Sequence, residues 1–312
     1  MSRRKVVFVM GNGHSGSTLL ELILGSHPKV QALGELNNLH KAIDADDADE
    51  SEPRLCHVCE GSCEFWNGQV DYGTVKRYVS QRGLLTPLVR GVSLLQNSLY
   101  RHLFDKSGAE ILVDGSKSVS WISRQVSPRW NWREAKPFLL YIVRDGRAVV
   151  NSRLRKYRDR TIEQETRHWK RVTERLHQYY DKFPADRRHR ISYEDLASKP
   201  EEVIRGVCKA LQIDFQPSML RYWEHDHHTT FGNTGTRSLI ARYRTQFGVV
   251  EAPAAEAVEV TRARHGEHYD QVGLAIRLDE RWKRELSEEQ LAVFESIGGE
   301  LNRRQLAFFG RS

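Results

Sequence analysis

A short polar loop near the start of the chain carries residue types suited to holding an anion. The segment Gly11-Asn-Gly-His-Ser-Gly16 follows the apolar run Val6–Met10 and precedes an apolar helical pattern that starts at Ser17. A strand, a glycine-rich turn and a helix N-terminus bind phosphate or sulfate, because unpaired backbone N–H groups and the helix dipole favour negative charge. The candidate anion-binding residues are Gly13, His14, Ser15, Gly16, Ser17 and Thr18.

The loop departs from the usual nucleotide triphosphatase pattern at one position. That pattern is G-x-x-x-x-G-K-[ST], and here Ser17 stands where the lysine would be. Because that lysine normally reaches the β- and γ-phosphates, its absence argues against an ATPase or kinase. A P-loop kinase or other nucleotide phosphotransferase is therefore the alternative interpretation. A tight turn that binds no ligand is another.

A second pair of residues could hold a phosphate monoester. Arg144 follows the buried-strand pattern Phe138–Val143, and Ser152 lies eight residues later on a predicted helix. Ligands of open α/β sheets bind at the carboxyl ends of the strands, where Arg144 is expected. An arginine fork beside a hydroxyl suits a phosphate group. The structural alternative is a salt bridge of Arg144 at a strand end.

Both motifs resemble those of sulfotransferases. His14-Ser-Gly-Ser-Thr-Leu-Leu20 is similar to the family's 5′-phosphosulfate loop. Arg144, with Asp-Gly-Arg after it and then Ser152, is similar to the 3′-phosphate motif, especially in tyrosylprotein sulfotransferases and related bacterial enzymes. The resemblance implies that the cofactor is 3′-phosphoadenosine 5′-phosphosulfate (PAPS), with 3′-phosphoadenosine 5′-phosphate (PAP) as product. It places Ser15–Thr18 at the 5′-phosphosulfate, and Arg144 and Ser152 at the 3′-phosphate.

Later segments extend the resemblance. Gly232-Asn-Thr-Gly-Thr-Arg237 is like the family loop that closes over the nucleotide, which implies that Arg237 reaches the 3′-phosphate. Ser192-Tyr-Glu-Asp-Leu196 and Ile276–Trp282 also resemble family segments. One departure is His14, which stands where the family has Arg or Lys and whose charge depends on pH.

Three residues are candidates for the chemistry of sulfuryl transfer. The reaction is an in-line displacement that needs a positioned acceptor, a base and cations around the moving group, and it needs no metal. Glu35 is the candidate base, because tyrosylprotein-like members carry a glutamate at a similar distance after the loop. Lys117 resembles the family lysine near the transferred sulfate, and Asp114 is expected to orient it. His14 is the third candidate, because it occupies the family's basic position.

A cysteine cluster, Cys56-His57-Val-Cys59 with Cys63, has C-x-x-C spacing. It could bind zinc through the three cysteines and His57, form a disulfide or stay reduced, and the sequence leaves these states open. Adjacent Cys56 and His57 are awkward ligands for one ion, so no metal is assigned. Four cysteines among 312 residues do not indicate a disulfide-rich scaffold.

The elements that must position these residues alternate between strands and helices. Strands are predicted at 6–10, 30–33, 111–113, 138–143 and 190–193, helices at 17–24, from about 148, at 200–211 and at 287–306, and long loops over 226–280. This alternation predicts an α/β, three-layer, P-loop-like fold with a central parallel sheet flanked by helices. We expect a single domain over 1–312, with a mostly helical insertion at about 37–110 that shapes the acceptor site.

Composition narrows the partners. The formal net charge of +7 and the pI of about 9.2 suit an anionic ligand and would also suit nucleic acid. No recognition motif supports a nucleic-acid partner, so none is expected. No apolar run is long enough for a signal peptide core or a membrane span, which predicts a cytoplasmic protein. The acceptor stays open between a protein tyrosine, a sugar, a lipid and a small molecule.

Overall fold

A five-stranded sheet forms the centre of the protein. The computed structural model describes residues 4–39, 63–70, 97–126, 135–232 and 274–311, together with positions 55, 56, 58, 236, 240, 243, 246 and 247. Within these residues the strand order is β2-β3-β1-β4-β5, and every neighbouring pair is parallel. The strands are β1 Lys5–Gly11, β2 Val30–Gly34, β3 Ile111–Lys117, β4 Lys136–Val143 and β5 Arg188–Ser192.

The central position of β1 follows from its composition. All five residues of Val6–Met10 are fully buried, and Val7 pairs with Val113 on one side and with Phe138 on the other. A strand in the middle of a parallel sheet is covered on both faces, so it is apolar throughout rather than alternating. The carboxyl ends of β1, β3 and β4 therefore meet at one edge, and the polar loops that follow them lie together.

The helices cover both faces of the sheet. Two of them begin at capping boxes: the helix Ile162–Lys182, whose N-cap is Thr161, and the helix Glu288–Ala307, whose N-cap is Ser287. None of the described helices is both long and apolar enough to cross a membrane. The helices are α1 Ser17–Gly25, α2 Asn97–Ser107, α3 Val119–Gln125, α4 Gly146–Lys156, α5 Ile162–Lys182, α6 Tyr193–Ser198, α7 Pro200–Leu211, α8 Trp282–Glu285 and α9 Glu288–Ala307.

Alternate residues of β1 face two separate cores. Phe8 and Met10 belong to a core with side chains of α2, α3 and the segment 63–70, such as Trp66. Val7 and Val9 belong to a second core that contains the apolar faces of α1 and α7. One sheet between two helix-covered cores is the three-layer arrangement, so the predicted fold class is confirmed.

Most predicted elements form close to their predicted bounds, and α7 does so at Pro200–Leu211. The longest described helix, α5, has no counterpart in the sequence analysis. Most of the expected insertion at 37–110 and most of the expected loops over 226–280 lie outside the described residues. The single domain with a helical insertion therefore stays a prediction. The described part of that insertion contains α2, a 3-10 turn at Leu36–Asn38 and a π-helical turn at Glu64–Gln69.

The end of β2 is held by a close backbone approach. Gly34 has a φ of 81°, and a Cβ at this position would collide with the backbone of Thr230. The Thr230 N–H donates to the Leu33 carbonyl at 3.0 Å, and the Glu35 N–H donates to the Thr230 carbonyl at 2.9 Å. Only glycine combines the left-handed backbone with this contact, so Gly34 fixes the backbone position of Glu35.

This contact predicts opposite effects for two glycine-to-alanine changes. We expect Gly34→Ala to lower the free energy of unfolding by more than about 2 kcal/mol, because it adds a collision to an unfavourable φ. Gly206→Ala, the control within α7, should raise it by about 1 kcal/mol, because a Cβ there meets nothing within 4 Å. Urea denaturation measures both. An unaltered stability of the Gly34 variant would contradict the packing described here.

Candidate active site

The predicted residues meet in one cleft at the carboxyl ends of the strands. The cleft has a volume of about 350 Å³ and lies where the loops after β1, β2, β3 and β4 come together. This is the edge at which open α/β sheets bind ligands. The predicted residues that line it are Gly13, His14, Gly16, Ser17, Thr18, Glu35, Lys117, Arg144 and Ser152.

The loop after β1 turns sharply into α1. His14 and Gly16 have φ values of 70° and 86°, and a Cβ on Gly16 would lie 2.5 Å from the Tyr193 ring. Gly16 is the N-cap of α1, and the Tyr193 ring packs where a side chain would be, so only glycine fits this left-handed position. The first N–H groups of α1 have no intrahelical carbonyl to which they can donate. They lie at the end of the helix that borders the cleft.

Ser15 does not line the cleft. Its side chain is 1% exposed, and its hydroxyl donates to the Asn12 carbonyl at 2.5 Å. The Ser15 N–H donates to the same carbonyl at 3.3 Å. The hydroxyl expected to hold an anion thus stabilises the turn instead, while Ser17 and Thr18 line the cleft.

Arg144 is a buried charge at the end of β4. Its guanidinium donates to the backbone carbonyls of His14 at 2.8 Å and of Asp279 at 3.0 Å, and lies 3.3 Å from the Asp279 carboxylate. The Tyr193 ring packs against the guanidinium at 4.2 Å. Its Nε is buried and has no hydrogen-bond partner among the described residues. A buried donor without a partner is costly, which favours an anionic ligand beside it.

His14 links the two predicted motifs. Its ring Nδ1 lies 3.1 Å from the Ser152 hydroxyl, while its carbonyl accepts from Arg144. Burial lowers the pKa of the His14 imidazole to about 3, and the positive charges of Lys156, Lys117, Arg153 and Arg144 act in the same direction. His14 is therefore a neutral hydrogen-bonding group rather than the fixed cation found at this position of the motif.

The walls of the cleft are strongly cationic. Among the described residues that line it, six carry positive charge and two, Glu35 and Asp279, are carboxylates. Lys156 and Arg277 have no acidic partner within the described part of the chain. An excess of cations around a low-dielectric cleft attracts anions. The cationic residues are Lys117, Arg144, Arg153, Lys156, Arg277 and Arg281.

Glu35 and Lys117 form an ion pair in the same cleft. The Lys117 ammonium lies 2.5 Å from one Glu35 oxygen, and the Asn38 amide donates to the other at 2.7 Å. Both side chains are about one-fifth exposed, so a substrate could reach them. Lys117 ends β3 with a φ of 61°, a conformation that a non-glycine residue adopts mainly where the surrounding structure holds it.

Glu21, which the sequence analysis does not single out, lies behind this pair. Its carboxyl is 3% exposed and accepts the Gly34 N–H at 2.5 Å. Burial raises the pKa of Glu21 to about 8, although the Gly34 N–H and the Lys117 charge act against the rise. A charged residue in the middle of an apolar helical run was the signal for it. By accepting the Gly34 N–H, Glu21 helps to fix the backbone that leads into Glu35.

Asp114 does not orient Lys117, contrary to the expectation. Its carboxylate accepts hydrogen bonds from the Tyr100 hydroxyl and the Trp121 indole, both at 2.7 Å, and from the Ser116 backbone at 2.9 Å. Burial raises the pKa of Asp114, and these hydrogen bonds partly offset the rise. The aspartate fixes the turn between β3 and α3, because its partners include Ser116 of β3 and Trp121 of α3.

Asp279 was also missed as a site residue. Its carboxylate accepts hydrogen bonds from Nε and from one Nη of Arg281, each at 2.9 Å, in addition to its contact with Arg144. Burial alone would raise the pKa of Asp279, but the hydrogen bonds from Arg281 and the two arginine charges hold it well below its usual range. An acid between two cationic residues in the segment 276–282, already notable for its resemblance, was the available signal.

Two predictions fall partly outside the described residues. Arg237 lies outside them, although its neighbours Gly232 and Thr236 line the cleft. Cys59 and His57 also lie outside, so the zinc set that includes them is not tested. The described cysteines of the cluster, Cys56 and Cys63, lie together with His228 instead.

The neutral state of His14 predicts a pH dependence of stability. Its folded pKa of about 3 lies below the unfolded value of 6.5, so below about pH 6.5 only the unfolded chain takes up this proton. The stability that His14 contributes is present above that pH and is lost as the pH falls towards the folded pKa. We expect His14→Gln to lose up to about 2 kcal/mol less than the unmodified protein between about pH 7 and pH 5, measured by urea unfolding. Equal losses would contradict the assignment.

Comparisons with known proteins agree with this geometry. A model of the sulfotransferase family matches residues 6–61 and 136–217, which carry the loop after β1 and the Arg144 motif. A sulfotransferase domain from the curacin biosynthetic pathway is 18% identical, with 96% of this chain and 98% of that chain aligned at a TM-score of 0.57. One from the Synechococcus PCC 7002 olefin synthase is 19% identical, with 95% of each chain aligned at a TM-score of 0.50. These two likenesses show the fold.

No sequence among the curated proteins matches this chain. The family match is independent of the structural likenesses, because it rests on sequence alone. It covers both motifs that line the cleft and gives no support to the kinase alternative, which the serine at position 17 already disfavours. The chain therefore belongs to the sulfotransferase family.

Proposed function

We propose that this sulfotransferase takes its sulfuryl group from PAPS. The observation that carries the proposal is the position of two anion-binding elements on one cleft: the N-terminus of α1, and the buried Arg144 with Ser152. His14 lies in the loop that leads into α1 and contacts both Arg144 and Ser152, so the two elements are held at a fixed separation. A ligand with two separate anionic groups on one nucleoside fits such a pair better than a ligand with one.

The donor residues fit a phosphate and a phosphosulfate. Arg144 offers a buried Nε without a partner among the described residues, and Ser152, which is 7% exposed, offers a hydroxyl. Both groups are shielded from water, which strengthens a hydrogen bond to an anion. Gly16, Ser17 and Thr18 would hold the 5′-phosphosulfate with the first N–H groups of α1 and two hydroxyls. We assign Arg144 and Ser152 to the 3′-phosphate. When bound, PAPS supplies an activated sulfuryl group on its 5′-phosphate.

Glu35 and Lys117 are the proposed catalytic pair. An acceptor hydroxyl or amine would give its proton to the Glu35 carboxylate as its oxygen or nitrogen bonds to sulfur. Lys117 would donate to the phosphate oxygen from which the sulfuryl group departs, where negative charge increases. The ion pair keeps both groups on one wall of the cleft, with Asn38 orienting the second carboxylate oxygen. Neutral His14 would serve as a hydrogen-bonding group to the same anion.

We also propose that the segment 37–110 forms the acceptor side. It leaves the sheet directly after Glu35 and returns at Ile111, whose strand ends in Lys117. The two proposed catalytic groups therefore lie where this segment leaves the sheet and at the end of the strand it enters. The class of acceptor is not encoded in the residues of the donor side, and a shared fold does not fix it.

The nucleotide assignment is tested by calorimetric titration with PAP and 5′-AMP, which differ only in the 3′-phosphate. We expect PAP to bind more tightly than AMP without magnesium, because only PAP can use Arg144. Arg144→Ala should weaken PAP binding by about 2–5 kcal/mol and should leave AMP binding nearly unchanged.

Arg167→Ala is the matched control, since that arginine pairs with Glu163 on the exposed side of α5, away from the cleft. Its PAP affinity should equal that of the unmodified protein. Unchanged PAP affinity in the Arg144 variant would overturn the 3′-phosphate assignment. A preference for magnesium ATP over PAP would overturn the donor itself and restore the phosphotransferase alternative.

The catalytic pair is tested by single-turnover sulfation with radiolabelled PAPS and a panel of phenols, alcohols, sugars and amines. With an acceptor that the unmodified enzyme sulfates, Glu35→Gln should slow transfer at least about 100-fold, because the proton acceptor is lost. PAP affinity should stay within a few-fold. Glu110→Gln, in the exposed Lys29–Glu110 ion pair, is the control and should react normally. Normal turnover of the Glu35 variant would remove it as the base.

A further inference from the structure

A cluster of two thiols and one imidazole lies outside the cleft. The side-chain ligand atoms of Cys56, Cys63 and His228 all lie within 4.8 Å of one another. Cys63 Sγ and His228 Nδ1 are 3.3 Å apart. Both cysteines are buried, at 1% and 0% exposure, and His228 is half-buried. Neither the sulfotransferase reaction nor the proposed nucleotide site uses any of these groups.

We infer that Cys56, Cys63 and His228 bind a structural Zn²⁺ ion. Thiolate sulfur and imidazole nitrogen are the ligand types of structural zinc sites, with bonds of about 2.3 Å and 2.0–2.1 Å. Tetrahedral geometry at those bond lengths places neighbouring ligand atoms roughly 3.5–3.8 Å apart. The 3.3 Å separation of Cys63 and His228 is close to that range, and the other ligand atoms, all within 4.8 Å, need side-chain shifts of up to about 1 Å to reach it. One further position of the tetrahedron is left for a fourth ligand.

Neighbouring groups hold the sulfur and the imidazole of this cluster in place. The Trp66 N–H donates to Cys63 Sγ at 3.5 Å, and its indole N–H donates to the His228 carbonyl at 2.5 Å. The Phe65 ring stacks on the His228 imidazole with centroids 5.9 Å apart. Donors to a thiolate and packing that fixes a ring are how proteins orient metal ligands. Both come from the turn that Cys63 itself caps, so the sulfur and the imidazole are positioned by one element.

The ion would join two distant parts of the chain. Cys56 and Cys63 precede the turn Glu64–Gln69, whereas His228 lies two residues before Thr230, which pairs with the end of β2. Metal bonds that join segments so far apart in the sequence stabilise the folded state directly, because the unfolded chain has no preformed site. Because Thr230 pairs with Gly34, the ion would also help to hold Glu35. The importance of that for catalysis rests on the proposed function, whereas metal binding itself does not.

A Cys56–Cys63 disulfide is the competing use of the same thiols. It would explain the proximity of the sulfurs but not the placement of His228 beside them. His57, the sequence neighbour of Cys56, lies outside the described residues, as does Cys59 at the C-x-x-C spacing. The proposed ligand set is therefore not the contiguous Cys-His set that the sequence suggests. It takes its imidazole from a segment 165 residues beyond Cys63.

The test measures metal content and cobalt binding in the full chain. We expect about one zinc per chain by elemental mass spectrometry in protein purified under reducing conditions without chelator. Cys63→Ser and His228→Gln should each lower zinc affinity at least about 10-fold. Cys208→Ala is the matched control, since Cys208 is equally buried but lies on α7 outside the cluster, and it should keep its zinc.

A second measurement needs no variant. Chelator-treated unmodified protein, titrated with Co²⁺, should develop the thiolate-to-cobalt charge-transfer absorption, and added Zn²⁺ should abolish that band and raise the Tm. An absent cobalt band, a zinc content that is equal in all variants, or a Cys56–Cys63 disulfide in the non-reduced peptide map would each overturn the proposal. None of these readouts depends on PAPS, so failure of the proposed function would leave the zinc result readable.

Discussion

The structure of the site depends on one buried charge, the guanidinium of Arg144. Burying a cation costs several kcal/mol unless an opposite charge and hydrogen-bond acceptors surround it. Those partners are the His14 carbonyl, the Tyr193 ring and Asp279. They come from the loop after β1, from α6 and from the segment that precedes α8. These contacts tie three distant parts of the chain together at the edge of the sheet where the cleft lies.

The same concentration of positive charge explains why a histidine can replace the arginine or lysine of the motif. Four cationic residues lie close enough to His14 to lower its pKa together with burial. A further fixed cation at this position would add repulsion to a loop already beside Arg144, whereas a neutral imidazole adds a hydrogen bond to Ser152. Positive charge around the cleft comes instead from Arg153 and Lys156 of α4 and from Lys117.

The sequence predicted that the loop after β1 and the Arg144 motif meet at one cleft, because the signals of each motif are contiguous. An apolar strand, a glycine turn and a helix follow one another in β1 and α1, and again in β4 and α4, so each motif contains its own support. It did not predict α5, because the buried face of that helix includes the polar residues Glu165, Thr166 and Thr173. A search for apolar periodicity does not detect such a face. It also missed Asp279, which meets Arg144 across 135 residues of sequence. The type of Ser15 suits an anion, but residue type does not give the direction of its hydroxyl, which donates to the Asn12 carbonyl.

The wall of the cleft that carries Glu35, the proposed acceptor side, differs in how it is held from the wall that carries Arg144. Glu35 owes its position to contacts between distant segments: Glu21 supports Gly34 from α1, and Thr230 closes on the same glycine from the other end of the chain. Thr230 in turn follows His228, which Trp66 and Cys63 hold in place. Changes in the segment 63–70 can thus move Glu35 without touching the loop or Arg144. Changes in such contacts would alter the wall of the cleft that carries Glu35 and leave the wall that carries Arg144 as it is.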